Sequence, residues 1–317
     1  MIYKFLDWID INKLDHKHLS YNENIEEIYD IFEKNNWTFN VDWTNLSQNI
    51  NAEYIISNNL DKIHWDCISL NSNCMILLEN NIEKINWTNL SCNINASKIL
   101  RKYPEKINWF MLSSNIGCVD IIEEGDNLDK VNWDNLSFNK NAISILKNNL
   151  NKINWSILSI NENAIDILEE YPEKIDWYNL SLNPNAIKIL SENINQVDWH
   201  NLSLNSNAID LLKKNIDKIN WTFLSINING YHILNHNINK INWECISNNS
   251  TAIELLEQNK DKINWKRFSE NNAIIKYDYE TMKIKTNIFK EELIQKIFHP
   301  NRFKRYLLEF DFDMNDL

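Results

Sequence analysis

"KINWSILSINENAIDILEEYPEKIDWYNLSLNPNAIKIL", Lys152 to Leu190, says nearly the same thing twice. Trp155, Leu158, Ser159, Asn161, Ala164, Ile167 and Leu168 return one period later as Trp177, Leu180, Ser181, Asn183, Ala186, Ile189 and Leu190. Outward from this pair, tryptophans fall at 43, 65, 87, 109, 133, 155, 177, 199, 221, 243 and 265. Every step equals that from Trp155 to Trp177 except the one from Trp109 to Trp133, which is longer by two and where Gly125-Asp126 reads as an insertion. A degenerate earlier copy begins at Lys13, with His16 in the tryptophan position and roughly five extra residues before Trp43. Twelve tandem copies result, numbered here from copy 1 (His16) to copy 12 (Trp265), with the tryptophan position counted as zero.

The chain carries 57 Asn against only three Gly and four Pro, so the asparagines must be either low-complexity filler or placed residues. Phase decides for placement. Ser stands at +4 and Asn at +6 in all twelve copies, and Asn recurs at −1 and +8 in many. A prion-like tract does not keep such register. Thirteen Trp, twelve Phe and eleven Tyr in 317 residues also exceed what a disordered chain carries.

Positions 0, +3 and +4 share one face of a short helix, and +9, +10, +12 and +13 share one face of a second. Asn, Asp or His at −1 and Asn at +8 stand where helix N-caps belong. Asn at +6 follows the first helix, where a left-handed turn residue is expected and Gly is scarce. A single 22-residue unit cannot bury its own tryptophan and aliphatics, so neighbours must cover it. The expected fold is all-α, an α-solenoid of about twelve two-helix repeats with its indoles lined up in a buried column. The alternative is a leucine-rich-repeat-like solenoid, for which Leu180-Ser-Leu-Asn183 is the nearest match. That motif needs apolar residues where Tyr178, Asp134 and Thr222 stand, and its strand alternation is missing.

Three segments follow: an N-terminal cap at 1–12 with Phe5, Leu6 and Trp8, the solenoid at 13–275, and a C-terminal helical cap at 276–317. In the last, Asn287 is expected to cap a helix running to about Phe298, and Pro300 to start another with Phe303, Tyr306, Leu307 and Phe310 on one face. The reading as a docking module competes with that of a cap.

The unit INWxxLSxNxNAIxIL, followed by Glu292-Leu-Ile-Gln-Lys-Ile-Phe-His-Pro-Asn-Arg-Phe-Lys-Arg-Tyr-Leu307, resembles the tandem-repeat proteins of nucleocytoplasmic giant DNA viruses. The likeness covers about residues 13 to 310, with departures at Gly117 and Thr251 (+8) and Gly230 (+9). It implies a role in protein–protein interaction inside an infected host cell.

Chemistry is sparse in this pattern. Three scattered Gly make no phosphate loop. His232 and His236 are four apart on a helix, but no third ligand or HExxH pattern accompanies them. The +4 serines have no His or acid in register, and each is expected to bond back to a helical carbonyl. Five Cys form no CxxC pair and read as reduced packing residues. No catalytic, metal or cofactor site is therefore expected. The formal charge of −12 falls within positions 1–275, which repels phosphate backbones and argues against nucleic acid. No apolar run reaches the ~20 residues of a membrane span. Cytoplasmic residence, in the host if the chain is viral, is the expectation, with the virion as alternative. Lysines at −3 from Lys62 to Lys262 are expected to stack into solvated charge rows.

One feature points to a partner. Positions +1 and +5 face away from the helix core, and +5 turns apolar in the middle copies: Phe138, Ile160, Leu182, Leu204 and Ile226. Such a stripe either marks a protein-binding face or packs under another helix layer. A protein scaffold is the preferred function. A virion structural component is the alternative, and a nucleic-acid-binding helical repeat the least favoured.

Overall fold

All but one of the copies start with a carboxylate or amide oxygen. In eleven of the twelve copies the −1 Asn or Asp accepts the backbone N–H of +2, as when Asn154 Oδ1 accepts from Ile157 and Asp176 Oδ1 from Asn179, and a helix begins at the tryptophan. The exception is His64, whose ring has no oxygen and makes no cap. The computed structural model describes residues 2–124 and 127–297. The first helix is short, Trp155–Leu158 and Trp177–Leu180 in the central pair. The second runs Ile165–Glu170 and Ile187–Glu192. A third element was not anticipated: a 3-10 turn such as Pro172–Lys174 or Ile216–Lys218 leads into the next tryptophan in most copies. It is introduced by asparagines near +16, which also close the second helix: Asn149 Nδ2 donates to the Ile145 carbonyl at 2.9 Å and Asn215 Nδ2 to Leu211 at 2.9 Å.

The chain is thus an all-α repeat solenoid, with no strand in any repeat and only two short strands among the described residues. Leu at +3 and Ala at +9 are sealed from solvent, as are Ile167 and Leu168 at +12 and +13.

Two expectations about asparagine need correction. The +6 residue is not left-handed: Asn49 lies at φ −72° and Asn205 at φ −70°, both extended, and Asn36 is the one non-Gly residue of positive φ among those described. Nor does +8 cap the second helix, whose N-cap is Ala at +9 with no side-chain bond. Instead the two amides tie copies together. Asn183 is buried; its Oδ1 accepts from the Asn185 N–H at 3.0 Å. Its Nδ2 donates back to the preceding copy, to the Ser159 and Asn161 carbonyls at 3.1 and 2.9 Å. Asn163 Nδ2 likewise reaches the Lys140 carbonyl of the copy before at 2.9 Å. Both amides thereby bond turn carbonyls of the preceding copy, among them the Ser159 carbonyl.

Serine at +4 works in the forward direction. Ser181 Oγ donates to the Trp177 carbonyl at 2.8 Å, as expected, and accepts the Asp198 N–H of the next copy at 3.0 Å. The pair of bonds recurs from Ser20 in copy 1 to Ser269 in copy 12.

The ladder has no end. Asn22 of copy 1 donates to the Ser269 and Asn271 carbonyls of copy 12 at 3.0 and 3.1 Å, and Asn24 to Asn272 at 2.8 Å. Ser269 Oγ accepts the Asp15 N–H at 2.8 Å, as Ser181 accepts that of Asp198. Copy 1 therefore follows copy 12 by the same contacts that join internal neighbours, and the twelve copies close into a ring. No end face is left for a cap.

The tryptophans are half-buried rather than sunk in a closed column. Their open faces are covered by the −3 lysine of the following copy: Lys84 Nζ lies 4.5 Å from the Trp65 ring centre, Lys152 4.7 Å from Trp133, and Lys240 4.5 Å from Trp221. Lys13 completes the circle over Trp265 at 5.2 Å. The expected charge row is thus a row of cation–π contacts, each worth about 0.5–1 kcal/mol where exposed. Where Tyr stands at −6 it takes that face instead, Tyr103 on Trp87 at 5.3 Å and Tyr171 on Trp155 at 5.4 Å. In copy 1, His16 replaces the indole; it packs against Phe32 and Phe39 and accepts the Asn40 N–H on Nδ1 at 2.9 Å.

The described chain parts into two units, Trp8–Ile274 and the two terminal segments together, in place of the three expected at 1–12, 13–275 and 276–317. Trp8 belongs to the ring, its indole 5.5 Å from the Phe268 side chain, centre to centre. In the terminal unit β1 (Tyr3–Phe5) pairs antiparallel with β2 (Ile275–Tyr277), Lys4 opposite Lys276, and both lysines bridge to Asp7. A single helix, Tyr279–Ile297, follows without the expected start at Asn287. Gly125-Asp126 and the helix expected after Pro300 lie outside the described residues.

Candidate functional site

The inner face of the ring follows from two observations. On the first helix, +3 points into the core and +4 meets the next copy, while the amide of +2 reaches the preceding one: Asn201 Nδ2 donates to the Tyr178 carbonyl at 2.9 Å. That leaves +1 and +5, about 180° from +3 on a helical wheel, as the open face. The first helices of successive copies lie side by side. The second helices stand farther apart and touch through long side chains, as in Lys98–Glu79 at 2.8 Å and Lys188–Glu169 at 3.5 Å. On a closed ring the layer with the shorter spacing has the smaller radius, so +1 and +5 line the bore. Helices ~8–10 Å apart put the twelve axes on a circle roughly 30–38 Å across. Subtracting one helix diameter of ~10 Å leaves a bore of about 20–28 Å.

Phe138, Ile160, Leu182, Leu204 and Ile226 therefore stand along one arc of this bore, on five consecutive copies. Phe138 is 54% and Ile226 47% exposed, and the three between are half-buried. Leu70 and Tyr21 continue the apolar +5 series as isolated members elsewhere. The +1 positions beside the arc are Asp134, Ser156, Tyr178, His200 and Thr222.

Across copies 10, 11, 12 and 1 the inner surface dips into a groove of about 610 Å³, lined by Ile226, Ile228, Asn248, Glu270, Tyr21 and Glu23 among others. This groove was not legible in the sequence, because it brings residues of the first copy beside those of the last three.

The residues weighed for chemistry are spread apart or already engaged. His232 and His236 are exposed, and the His236 Nδ1–H donates to the His232 carbonyl at 2.7 Å. The +4 hydroxyls are buried with both their bonds made. Burial pushes the Cys74 thiol up to about 11 and the Cys118 thiol up to about 12, which suppresses thiolate chemistry. Among the described residues, no group of three metal-ligating side chains gathers, and no helix is long and apolar enough to cross a membrane. Comparison with family models, curated proteins and solved structures finds no match for this chain.

Proposed function

We propose that the ring is a non-enzymatic scaffold that binds a protein partner on its inner face, as a giant-virus protein acting in the cytoplasm of an infected cell. The observation that carries this reading is the apolar +5 arc from Phe138 to Ile226, which no second helix layer of the ring covers. Its setting supports it. Positions +3, +4 and +6 are nearly invariant along the ring because closure needs them, whereas +1, +2 and +5 vary from copy to copy, as a surface matched to one partner would. Among the described residues every buried side-chain nitrogen and oxygen has a hydrogen-bond partner, as expected of groups that hold a scaffold together. A nucleic-acid reader would need basic rows on this face; +1 and +5 carry Lys17 and Lys266 against Asp66, Asp134, Glu244 and Glu270.

The test is affinity capture with wild-type protein and with Leu182→Asp/Leu204→Asp as baits, both checked for an unchanged urea midpoint. A partner enriched by the wild type and lost from the variant supports the inner-face reading. A partner kept at equal yield refutes it. Self-association of the purified chain through this arc would favour the virion-component alternative.

A further inference from the structure

The groove at the junction of the last and first copies differs from the arc that leads to it. Its floor holds three exposed apolar side chains, Ile226, Ile228 and Tyr21. Its walls hold two carboxylates, Glu23 and Glu270, and no Lys or Arg lines it. Glu270 is half-buried and kept in place by its neighbours: Oε2 accepts from Asn248 Nδ2 at 3.3 Å, and Oε1 lies 3.6 Å from His18 Nε2. A fixed, partly desolvated carboxylate is a stronger partner for a cation than a mobile one on an open surface. The volume of about 610 Å³ matches a few side chains of one segment rather than a whole domain face. Ile226 is also the last member of the apolar arc, so a segment lying along the arc runs directly into the groove.

We propose that this groove seats a segment of the protein partner in which aliphatic side chains alternate with lysine or arginine. The aliphatic groups cover Ile226, Ile228 and Tyr21, and the cations pair with Glu23 and Glu270. The proposal rests on the inner-face reading above and names the chemistry of what binds there. Because copy 1 supplies Tyr21 and Glu23 while copies 10 and 12 supply Ile226 and Glu270, the groove exists only in the closed ring. Occupancy therefore favours closure by mass action.

The experiment is a fluorescence-anisotropy titration of the full chain with a labelled 18-residue leucine–lysine peptide, alongside leucine–glutamate and serine–lysine peptides of the same length. Binding of the leucine–lysine peptide alone, weakened about tenfold by Glu23→Gln/Glu270→Gln and unchanged by the outer pair Glu192→Gln/Glu257→Gln, supports the proposal. Equal weakening by both pairs, or equal binding of the serine–lysine peptide, overturns it as general attraction to an acidic protein. The substitutions are isosteric, and urea midpoints confirm folding. The captured partner separates the two readings. If it survives E23Q/E270Q but is lost with L182D/L204D, the groove proposal falls and the inner-face reading stands; if it survives both, both fall.

Discussion

Asn22→Ala tests closure directly, because an open solenoid and a ring assign that residue opposite environments. In the ring, Asn22 is buried, and three hydrogen bonds end on its amide. Nδ2 donates to the Ser269 carbonyl at 3.0 Å and the Asn271 carbonyl at 3.1 Å, and Oδ1 accepts the Asn24 N–H at 2.9 Å. Asn183, deep in the series, makes the same three at 3.1, 2.9 and 3.0 Å. Alanine removes all three bonds, leaving the serine carbonyl and the N–H without partners while the Asn271 and Asn161 carbonyls keep only the Ile274 and Ala164 N–H groups; at about 1 kcal/mol per lost bond, either substitution costs about 3 kcal/mol. With a urea slope of about 3 kcal/mol per molar, that is a midpoint shift of about 1 M. The assay is urea unfolding of wild type, N22A and N183A, followed by tryptophan fluorescence and far-ultraviolet circular dichroism. The ring requires the two losses to agree within about 0.5 kcal/mol. If N22A unfolds with the wild type while N183A loses about 3 kcal/mol, Asn22 faces water and the ring is refuted.

Ser181→Ala deprives the half-buried Asp198 N–H of its acceptor and is expected to cost about 1–3 kcal/mol by the same urea assay; an unchanged midpoint would mean water replaces the hydroxyl. Gly117→Asn restores the residue most copies carry at +8, yet a Cβ there would sit 1.8 Å from the Ile94 carbonyl oxygen, so the consensus change should destabilise by several kcal/mol, and a stabilised variant would contradict the geometry. Ellman's reagent at pH 8 should leave Cys74 and Cys118 unreacted until urea is added, their buried thiols being held at about 11 and about 12; rapid reaction of all five native cysteines would show the interior to be open. His16 is held below its ordinary value, first by burial and against the raising effect of Asp15, and its Nδ1 must stay unprotonated to accept the Asn40 N–H. The unfolded chain therefore takes that proton first as pH falls below ~6.5, and stability present above that pH is lost on descending through the folded value. His16→Gln should flatten this part of the midpoint-versus-pH curve, and an identical slope in both proteins would remove His16 as its cause.

Much of the repeat was readable because its determinants are local. A tryptophan at one fixed phase, Leu158 three places after Trp155 and a capping oxygen at −1 specify a short helix within six positions. Ser at +4 was correctly read as bonding its own helix, since that partner is four places away. Its second bond, to the next copy, involves a residue 17 positions on and has no signature of its own. The asparagines misled for the same reason. At +6 and +8 their types fit a turn and a cap, but their amides are spent on the neighbouring copy, and only packing shows which competing bond wins. Lysine at −3 looked like a surface charge because its partner belongs to the previous copy, as Trp133 does for Lys152. The apolar +5 residues were legible from their alternation with +3 and +4, whereas the groove beside them needed the ring.

Closure itself is a global property, yet the sequence held a sign of it. An open solenoid exposes one interface at each end, and its terminal repeats replace the buried pairing residues with polar surface. Copies 1 and 12 do the reverse. Copy 1 has lost its tryptophan to His16 and copy 12 has lost a residue after Asn271, but copy 1 keeps Asn22, whose amide reaches back to a preceding copy, and copy 12 keeps Ser269, whose hydroxyl reaches forward to a following one; at a free end neither would have that partner. Buried amides without partners cost about 1–3 kcal/mol apiece, so their retention at both termini is explained if each faces the other. Twelve copies turning by about 30° each return the chain to its start, and the contacts Asn22–Ser269 and Asp15–Ser269 are what that return looks like in atoms. The same curvature shapes the +5 arc. Side chains on a convex or flat stack would splay apart, whereas on the inside of a ring Phe138 to Ile226 converge.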